Sequence, residues 1–179
     1  MSALITSLAP SEIKEALPQL VVLFQDAIAS GAALGFLPPL TADKAQEFWR
    51  GVQAGVERGQ LVLLVARAAT TGEIVGSVQL ALAGQSNGRH RAEVAKMMVH
   101  RHARRQGLGS QLLTALEAHA QRLGRTTLVL DTRQGEVSEQ LYQRLGYQLC
   151  GVIPDYAESA DGTLHATVIY YKLLATTGA

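Results

Sequence analysis

The sequence predicts a single α+β domain, a mixed α/β three-layer arrangement in which helices flank a central, mostly antiparallel sheet. Three apolar runs, residues 60–67, 73–83 and 91–99, follow one another with turn-sized links, which is the pattern of an antiparallel meander. After residue 107, apolar runs alternate with segments of helical periodicity. The sequence has no internal repeat and no linker, so we expect one domain over residues 1–179.

The composition is that of an ordinary globular protein. Hydrophobic residues make up 47% of the chain, charged residues make up 17%, and the formal net charge is +1. A net charge this small provides no global field for nucleic acid or for a membrane surface, so neither is an expected partner. The N-terminus has no basic signal-type segment, and no apolar run approaches the ~20 residues of a membrane span. We expect a soluble, cytoplasmic protein.

The N-terminal third is expected to be mainly helical. Residues 3–8 are predicted to form a short strand, and Ser11 is the candidate N-cap of the helix that follows. Pro18 lies inside the helical pattern and is expected either to kink this helix or to move its start. Thr41 is expected to cap a second helix that ends near Gly59.

The connector between these helices, residues 31–40, is small and apolar. It contains Phe36, for which two interpretations stay open. The side chain either fills the core or belongs to a flap over a substrate pocket, because mobile lids tend to occur in apolar, glycine-containing connectors.

The remaining elements follow from the same periodicities. Residues 60–67 and 73–83 form a hairpin around a turn at Thr71 and Gly72, and residues 91–99 add a third strand. We then expect, in order, a helix over 108–123, a strand over 126–132, a helix over 136–144, a strand over 147–152, a polar loop over 154–162 and a strand over 165–173.

The stretch from Arg91 to Leu113 is the most informative about function. Its strand leads into a basic segment, then into Gly107 and Gly109, and then directly into a helix. Free backbone NH groups and the positive end of a helix dipole meet there, which favours an anion. Leu112 occupies the place of the third glycine of a dinucleotide fingerprint, and no Walker motif is present. A pyrophosphate cradle and a solvated basic turn both remain open.

Two motifs carry a family resemblance. Residues 104–109, Arg-Arg-Gln-Gly-Leu-Gly, resemble the Gln/Arg-x-x-Gly-x-Gly/Ala acetyl-CoA signature of the GNAT N-acetyltransferases. Residues 141–147, Leu-Tyr-Gln-Arg-Leu-Gly-Tyr, resemble the second motif of that family, Leu-Tyr-x-x-x-Gly-Phe/Tyr. The resemblance implies the GNAT fold and acetyl-CoA as co-substrate. Further features resemble the branch that contains tabtoxin-resistance acetyltransferases: Gly35-Phe36, Arg91-Ala-Glu93-Val, Leu130-Asp131-Thr and Pro154-x-Tyr156.

The resemblance also implies roles for individual residues. Tyr142 would protonate the departing CoA thiolate, and the alternative is a core aromatic residue with its hydroxyl at the surface. Arg101 and Gly135 depart from the family pattern, which often has Pro and Asn there. The backbone NH groups that would hold the CoA pyrophosphate belong to Arg104, Arg105, Gln106, Gly107, Leu108, Gly109 and Ser110. The strand edge that would bind the pantetheine arm and the acetyl carbonyl, splayed by a bulge, consists of Met97, Met98 and Val99.

Glu93 and Asp131 are the candidate catalytic carboxylates. Amine acetylation needs a neutral nitrogen, and a carboxylate can take the proton of the ammonium directly or through water. Both residues lie beside apolar strand residues, where we expect desolvation to raise the carboxyl pKa. The alternatives are an exposed strand-end charge paired with Arg91 or Lys96, and a strand-terminal Asx turn. In the resembled branch, the matching Glu and Asp are the proposed catalytic pair.

The expected acceptor is a small-molecule amine that enters near Phe36, Asp155 and Tyr156, and in one interpretation it is an amino-acid-like toxin. A polyamine, an amino sugar or a protein N-terminus is the alternative acceptor. A non-catalytic acyl-CoA-binding regulatory domain is the alternative from another class. A monomer and a homodimer both remain open, because edge strands near the C-terminus offer a pairing surface.

No metal site is expected. The five histidines, among them His100, His102 and His119, fit no ligand spacing, and no cysteine cluster joins them. The single Cys150 cannot form an internal disulfide, and we expect it to be a small buried hydrophobic residue. The arginines of residues 101–105 have no interleaved aromatic residues, which disfavours nucleic-acid binding.

Overall fold

A computed structural model describes residues 3–175 as one seven-stranded sheet with helices on both faces. The helices are α1 (Pro10–Ala29), α2 (Ala42–Glu57), α3 (Leu108–Arg122) and α4 (Val137–Arg144). The strands are β1 (Ala3–Ser7), β2 (Leu61–Ala68), β3 (Ile74–Leu82), β4 (Arg91–Val99), β5 (Thr127–Arg133), β6 (Gln148–Glu158) and β7 (Leu164–Leu173).

The strand order is β1-β2-β3-β4-β5-β7-β6, and every neighbouring pair is antiparallel except β4 and β5. This arrangement confirms the predicted mixed fold with a mostly antiparallel sheet. The parallel pair arises because α3 connects β4 to β5 as a crossover, whereas β2, β3 and β4 follow each other through short links.

Two hydrophobic cores, one on each face of the sheet, hold the three layers together. On one face α1 and α2 pack around Phe24 and Trp49, which are fully buried, and Trp49 Nε1 donates a hydrogen bond to Leu20 O at 2.9 Å. On the other face α3 packs Leu112 and Leu116 against the sheet. Alternation of side chains along the strands supplies both cores from the same sheet.

Two irregularities in the middle of the sheet shape the site. Ser77 pairs with Met98 and Gln79 pairs with Ala95. The two residues are two positions apart on β3 but three positions apart on β4, so β4 carries a bulge. Lys96 within it has a φ of 51°. Strand β4 pairs with β5 only as far as Glu93, so the two strands separate beyond that point.

Local details differ from the sequence-based expectations in three places. The N-cap of α1 is Ala9, not Ser11, because Glu12 accepts a hydrogen bond from the Ala9 NH and Pro10 begins the helix. Strand β6 continues through residues 154–158, for which the sequence pattern predicts a loop. Cys150 is exposed rather than buried, since it lies on β6, the strand at one edge of the sheet.

Pro18 does not move the start of α1, which runs from Pro10 to Ala29 with the proline inside it, and the predicted kink stays a prediction. The proline side chain lies on the exposed surface of the helix. Thr41 caps α2 as predicted, with its Oγ1 accepting from Lys44 N at 3.4 Å.

Candidate active site

The loop between β4 and α3 presents a row of free backbone NH groups. Within residues 3–175, the NH groups of 104–110 donate to no backbone carbonyl, and we call this segment the amide loop. Arg105 and Gly107 adopt left-handed backbone conformations, with φ of 61° and 77°, and Gly107 is the N-cap of α3. Successive NH groups in such a turn form a concave anion site, which the helix dipole reinforces.

Side chains hold the amide loop in shape while its NH groups stay available. Arg104 Nε donates to Val99 O at 2.9 Å, and Gln106 Nε2 donates to His102 O at 3.2 Å. Arg105 is exposed. The amide loop therefore carries the positive charges of two exposed arginines, Arg104 and Arg105.

Gly109 allows α3 and α4 to approach each other closely. A Cβ atom at this position would lie 2.9 Å from Leu141 Cδ2. The glycine motif and the Leu-Tyr motif are therefore in contact, and the contact brings the start of α3 next to the residue that precedes Tyr142.

Tyr142 in α4 is 6% exposed. Its ring packs edge to face on Tyr147, with centroids 5.7 Å apart. Burial, and after it the negative charge of Asp131, raises the pKa of Tyr142 to about 12. The hydroxyl therefore keeps its proton at neutral pH, and it can act as a proton donor.

The separation of β4 from β5 opens an edge along the second half of β4. Within the described chain, Met97, Met98 and Val99 pair with no residue of β5, whereas Ser77 and Gly76 of β3 pair with Met98 and Val99. The predicted bulge and splay are both present. An extended ligand can therefore reach backbone groups of β4 through the opening.

Glu93 and Asp131 lie on the same face of the sheet. Glu93 pairs with Val129, and Asp131 is two residues further along β5, so the three side chains share one face. Both carboxylates line a cleft of about 200 Å³, called the carboxylate cleft below. The expected desolvation is wrong, because both residues are exposed. No salt bridge within residues 3–175 involves either one.

Thr167 of β7 fixes the position of Asp131. Thr167 is 3% exposed, and its hydroxyl donates to Asp131 Oδ2 at 2.9 Å and approaches Thr132 O at 3.0 Å. The pattern of β7 offers no signal for this role, because a threonine in a strand is common. Only the pairing of β5 with β7 shows that its hydroxyl reaches the carboxylate.

The three residues predicted on the acceptor side separate into different places. Tyr156 lines the carboxylate cleft, together with Ile153 and Ile169. Phe36 packs edge to face on Phe24, with centroids 5.1 Å apart, and also lines a second cavity beneath α2. The core interpretation of Phe36 is therefore confirmed, and its role as a flap over a substrate pocket stays a prediction.

Asp155 lines neither of these cavities. It lies in the irregular part of β6, between Ile153 and Ala157. These two residues are four positions apart, but their partners on β7 are only two positions apart. The φ of Asp155 is 49°. The residue is exposed. Its predicted contact with the acceptor stays a prediction.

Comparison with known proteins assigns the family. A profile of the acetyltransferase (GNAT) family matches residues 30–147, which is more than half of the chain. The chain belongs to the GNAT acetyltransferase family. The matched region begins just before the connector and ends at Tyr147, so it includes the amide loop, both carboxylates and Tyr142.

A curated relative and two solved structures resemble this GNAT chain. An uncharacterised N-acetyltransferase of Azospirillum brasilense, from the hisH–hisA intergenic region, is 32% identical over 111 residues, which span 61% of this chain and 63% of the relative. An N-acetyltransferase from Staphylococcus aureus Mu50 superposes with a TM-score of 0.80 at 21% identity, over 98% of this chain and 100% of that one.

The second solved structure is a GNAT superfamily phosphinothricin acetyltransferase from Sinorhizobium meliloti in complex with acetyl-CoA. It superposes with a TM-score of 0.79 at 17% identity, over 98% of this chain and 90% of that one. At these identities the two structures establish the fold alone, and the fold is the GNAT fold that the sequence motifs imply.

The described residues also bear on metal binding and on membrane insertion. Between residues 3 and 175, no group of three or more His, Cys, Asp or Glu side chains is arranged to hold a metal ion. None of the helices in this part of the chain is both long and apolar enough to cross a bilayer.

Proposed function

We propose that this GNAT protein transfers the acetyl group of acetyl-CoA to the amine of a small molecule, by direct attack in a ternary complex. One observation carries the proposal, which is the position of the opening between β4 and β5. One end of the opening is at Glu93, which lines the carboxylate cleft, and β4 then continues to Val99 and the amide loop. An anion site and a pair of carboxylates thus border one opening in the sheet.

The residues present fit acetyl-CoA. The free NH groups of residues 104–110 suit a pyrophosphate, and the unpaired edge of Met97–Val99 suits the amide-containing pantetheine arm. When bound, acetyl-CoA supplies an acetyl group that is activated as a thioester. The backbone NH near Met98 is the proposed donor to the negative charge that develops on the carbonyl oxygen.

The proton transfers are assigned to three side chains. Glu93 and Asp131 attract the ammonium form of the acceptor and take its proton, directly or through water. The neutral nitrogen then forms the new C–N bond as the C–S bond breaks. Tyr142 gives its proton to the departing sulfur and regains one from solvent, which its high pKa favours.

An amino-acid-like toxin is the acceptor type that the sequence features favour. The carboxylate cleft supports a cationic acceptor, because Glu93 and Asp131, the charged residues that line it, are both negative. Polyamines, amino sugars and protein N-termini are the competing acceptors. The Sinorhizobium structure is a phosphinothricin acetyltransferase, which is an example of a GNAT protein named for a small amine.

Thiol release from acetyl-CoA tests the proposal. Purified protein is incubated with acetyl-CoA and a panel of amino acids, polyamines, amino sugars and N-terminal peptides, and free CoA thiol is followed with time. Turnover with a small amine supports the proposal. Binding of acetyl-CoA without thiol release over the whole panel would indicate a non-catalytic acyl-CoA-binding domain instead.

A further inference from the structure

Arg133 of β5 and His165 of β7 are in contact, and we call them the basic pair. Arg133 is two residues beyond Asp131, so side-chain alternation places both on the face of the sheet that carries the carboxylate cleft. Arg133 pairs with Thr167, which lines the cleft, and His165 lies two residues before Thr167 on β7. The basic pair therefore lies beyond the Thr167 end of the carboxylate cleft.

The guanidinium group of Arg133 keeps hydrogen-bond donors available to a ligand. Its Nη2 atom lies 3.0 Å from Nδ1 and 2.7 Å from Nε2 of His165, and within residues 3–175 these are its only hydrogen-bond contacts. The side chain is 25% exposed, and neither Nε nor Nη1 is a buried atom. Both nitrogens can therefore donate to a group that arrives from solvent.

No close ion pair neutralises the basic pair in the part of the chain that the structure describes. Glu136 Oε1 lies 3.9 Å from Arg133 Nε, and the side chain of Glu136 is 46% exposed, so this pair is weak. Asp161, in the turn before β7, accepts a hydrogen bond from Thr163 N at 3.0 Å and forms no salt bridge with His165. The guanidinium group can therefore bind an anion through charge-assisted hydrogen bonds.

The carboxylates and the basic pair give one face of the sheet two regions of opposite charge. Successive residues of a strand rise by about 3.3 Å, so Arg133 lies about 7 Å from Asp131 along β5. The two side chains form no salt bridge with each other within residues 3–175. One small molecule with an ammonium group and an acid group can therefore contact both residues.

We infer that the basic pair binds an acid group of the acceptor, and that the acceptor is a small amine that also carries a carboxylate. This inference rests on the proposed function. The ammonium group lies at Glu93 and Asp131, and the carboxylate accepts hydrogen bonds from the guanidinium group of Arg133. His165 limits the positions that this guanidinium group can take.

The charge of the basic pair distinguishes the competing acceptors. A polyamine would place a second ammonium group beside Arg133, where like charges repel each other. An amino sugar would bring neutral hydroxyl groups, which bind a guanidinium group less strongly than a carboxylate does. An amino acid matches the charge at both ends of the face.

Amino acids and their amides form matched pairs that test the inference. The acids are glycine, β-alanine, 4-aminobutyrate and 5-aminopentanoate, and each is compared with the amide of the same chain length, which lacks the negative charge. We expect the wild-type protein to prefer the acid in at least one pair by about 10- to 100-fold in kcat/KM, because a hydrogen bond to a charged group is the stronger one. Equal kcat/KM values for acid and amide in every pair would overturn the inference.

The Arg133→Gln variant assigns the preference to one side chain. Its preference for the acid should disappear, mainly through a higher KM for the amino acid, and Arg133→Lys should restore part of it. The control is Arg122→Gln, because Arg122 Nη2 also contacts a histidine, His119 Nδ1, at 3.3 Å, but lies on α3 at the other face of the sheet. A preference that survives Arg133→Gln contradicts the inference.

Reversal of the charge at Arg133 provides a gain of activity that a folding defect cannot mimic. In Arg133→Glu, the new carboxylate should repel an acid group and attract a second ammonium group. Relative to the wild type, the ratio of kcat/KM for 1,4-diaminobutane to that for 4-aminobutyrate should rise by about 100-fold or more, while the affinity for acetyl-CoA stays at the wild-type value. An unchanged ratio would overturn the inference.

Binding measurements separate this inference from the proposed function. If no amino acid is acetylated, calorimetry with each pair in the presence of CoA replaces the kinetic assay. Preferential binding of an acid over its amide, lost in Arg133→Gln, supports the basic pair while the transferase proposal fails. Turnover of other amines, with no binding of any acid in the series, overturns the inference and leaves the transferase proposal intact.

Discussion

The carboxylate of Asp26, near the end of α1, accepts hydrogen bonds from both the backbone NH and the guanidinium group of Arg101. The distance from Arg101 N to Asp26 Oδ2 is 2.9 Å, and His100 Nε2 lies 3.6 Å from Oδ1. Residues 100 and 101 begin the segment that leads into the amide loop. A helix on one face of the sheet therefore holds the entrance to the anion site.

Replacing Asp26 with Asn should weaken the binding of acetyl-CoA. The variant removes the charge that orients Arg101, so the amide loop is less well ordered before binding, and we expect an affinity loss of about 10-fold. Calorimetry with acetyl-CoA measures it. Asp43→Asn, the same change on the exposed first turn of α2, is the control and should bind as the wild type does. Equal affinities for the two variants would contradict the role given to Asp26.

The stabilising effect of Asp26 should depend on pH. Burial raises the pKa of Asp26, but hydrogen bonds from Arg101 and the charge of His100 outweigh burial and lower the pKa below its ordinary value of 3.8. A lowered pKa stabilises the folded state above pH 3.8, and this stabilisation is lost as the pH falls through the folded-state pKa. Urea unfolding should therefore show a larger difference between wild type and Asp26→Asn at about pH 7 than at about pH 3. A difference of the same size at both pH values would be unexpected.

Two glycines at the ends of α3 form a matched pair for testing the amide loop. Gly107 and Gly124 both have left-handed φ values, 77° and 68°. A Cβ atom would meet nothing within 4 Å at Gly124, and at Gly107 it would meet only Gln111 Nε2, at 3.8 Å. Alanine at either position should lower the free energy of unfolding by about 1 kcal/mol. Only Gly107→Ala should also reduce acetyl-CoA affinity, by about 10-fold or more. If both variants bind acetyl-CoA equally well, the loop is not the pyrophosphate site.

Neutralising either carboxylate of the cleft should slow the reaction. Glu93→Gln and Asp131→Asn each remove a proton acceptor from an exposed position, so folding should be preserved while kcat/KM falls by about 10²- to 10⁴-fold. The base itself should affect kcat most, and a residue that only attracts the ammonium should affect the KM of the amine. Glu57→Gln, at the end of α2, is the charge control. Full turnover in both cleft variants at saturating acetyl-CoA would show that the assignment is wrong.

Removing the hydroxyl of Tyr142 should affect turnover more than binding. Tyr142→Phe keeps the ring that packs on Tyr147, so the melting temperature should change little. We expect kcat to fall by about 10²-fold with little change in the KM of acetyl-CoA. Because the pKa of Tyr142 is about 12, the wild-type kcat should show no loss from this group up to about pH 10. Tyr171→Phe, which removes an outer hydroxyl bonded to Gln148, is the control.

The pH range above 10 provides an independent check on the environment of Tyr142. A folded-state pKa raised from 10 to about 12 means that the unfolded chain loses the proton first. This group therefore destabilises the folded state progressively as the pH rises from 10 to 12. Tyr142→Phe should reduce that loss of stability, and an identical loss in the variant would contradict the high pKa.

Local sequence patterns were sufficient for most of the secondary structure. Periodicity located the strands and helices to within one or two residues at most ends, because side-chain alternation and helix caps are encoded by near neighbours. It failed at Ser11, where Glu12 and Pro10 favour an earlier start, and at Cys150, whose exposure depends on which strand lies at the edge. Short-range sequence patterns do not predict the order of strands in a sheet.

The sequence by itself determined the GNAT family, the amide loop and the identity of Tyr142 as a motif residue, because these depend on residues close together in the chain. Only the tertiary structure decided which distant residues meet. It joins Asp26 to Arg101, Thr167 to Asp131, and Gln79 to the face that carries Glu93. Those contacts arise from helix packing and strand register, which bring together residues that are far apart in the chain and leave no short-range pattern to read.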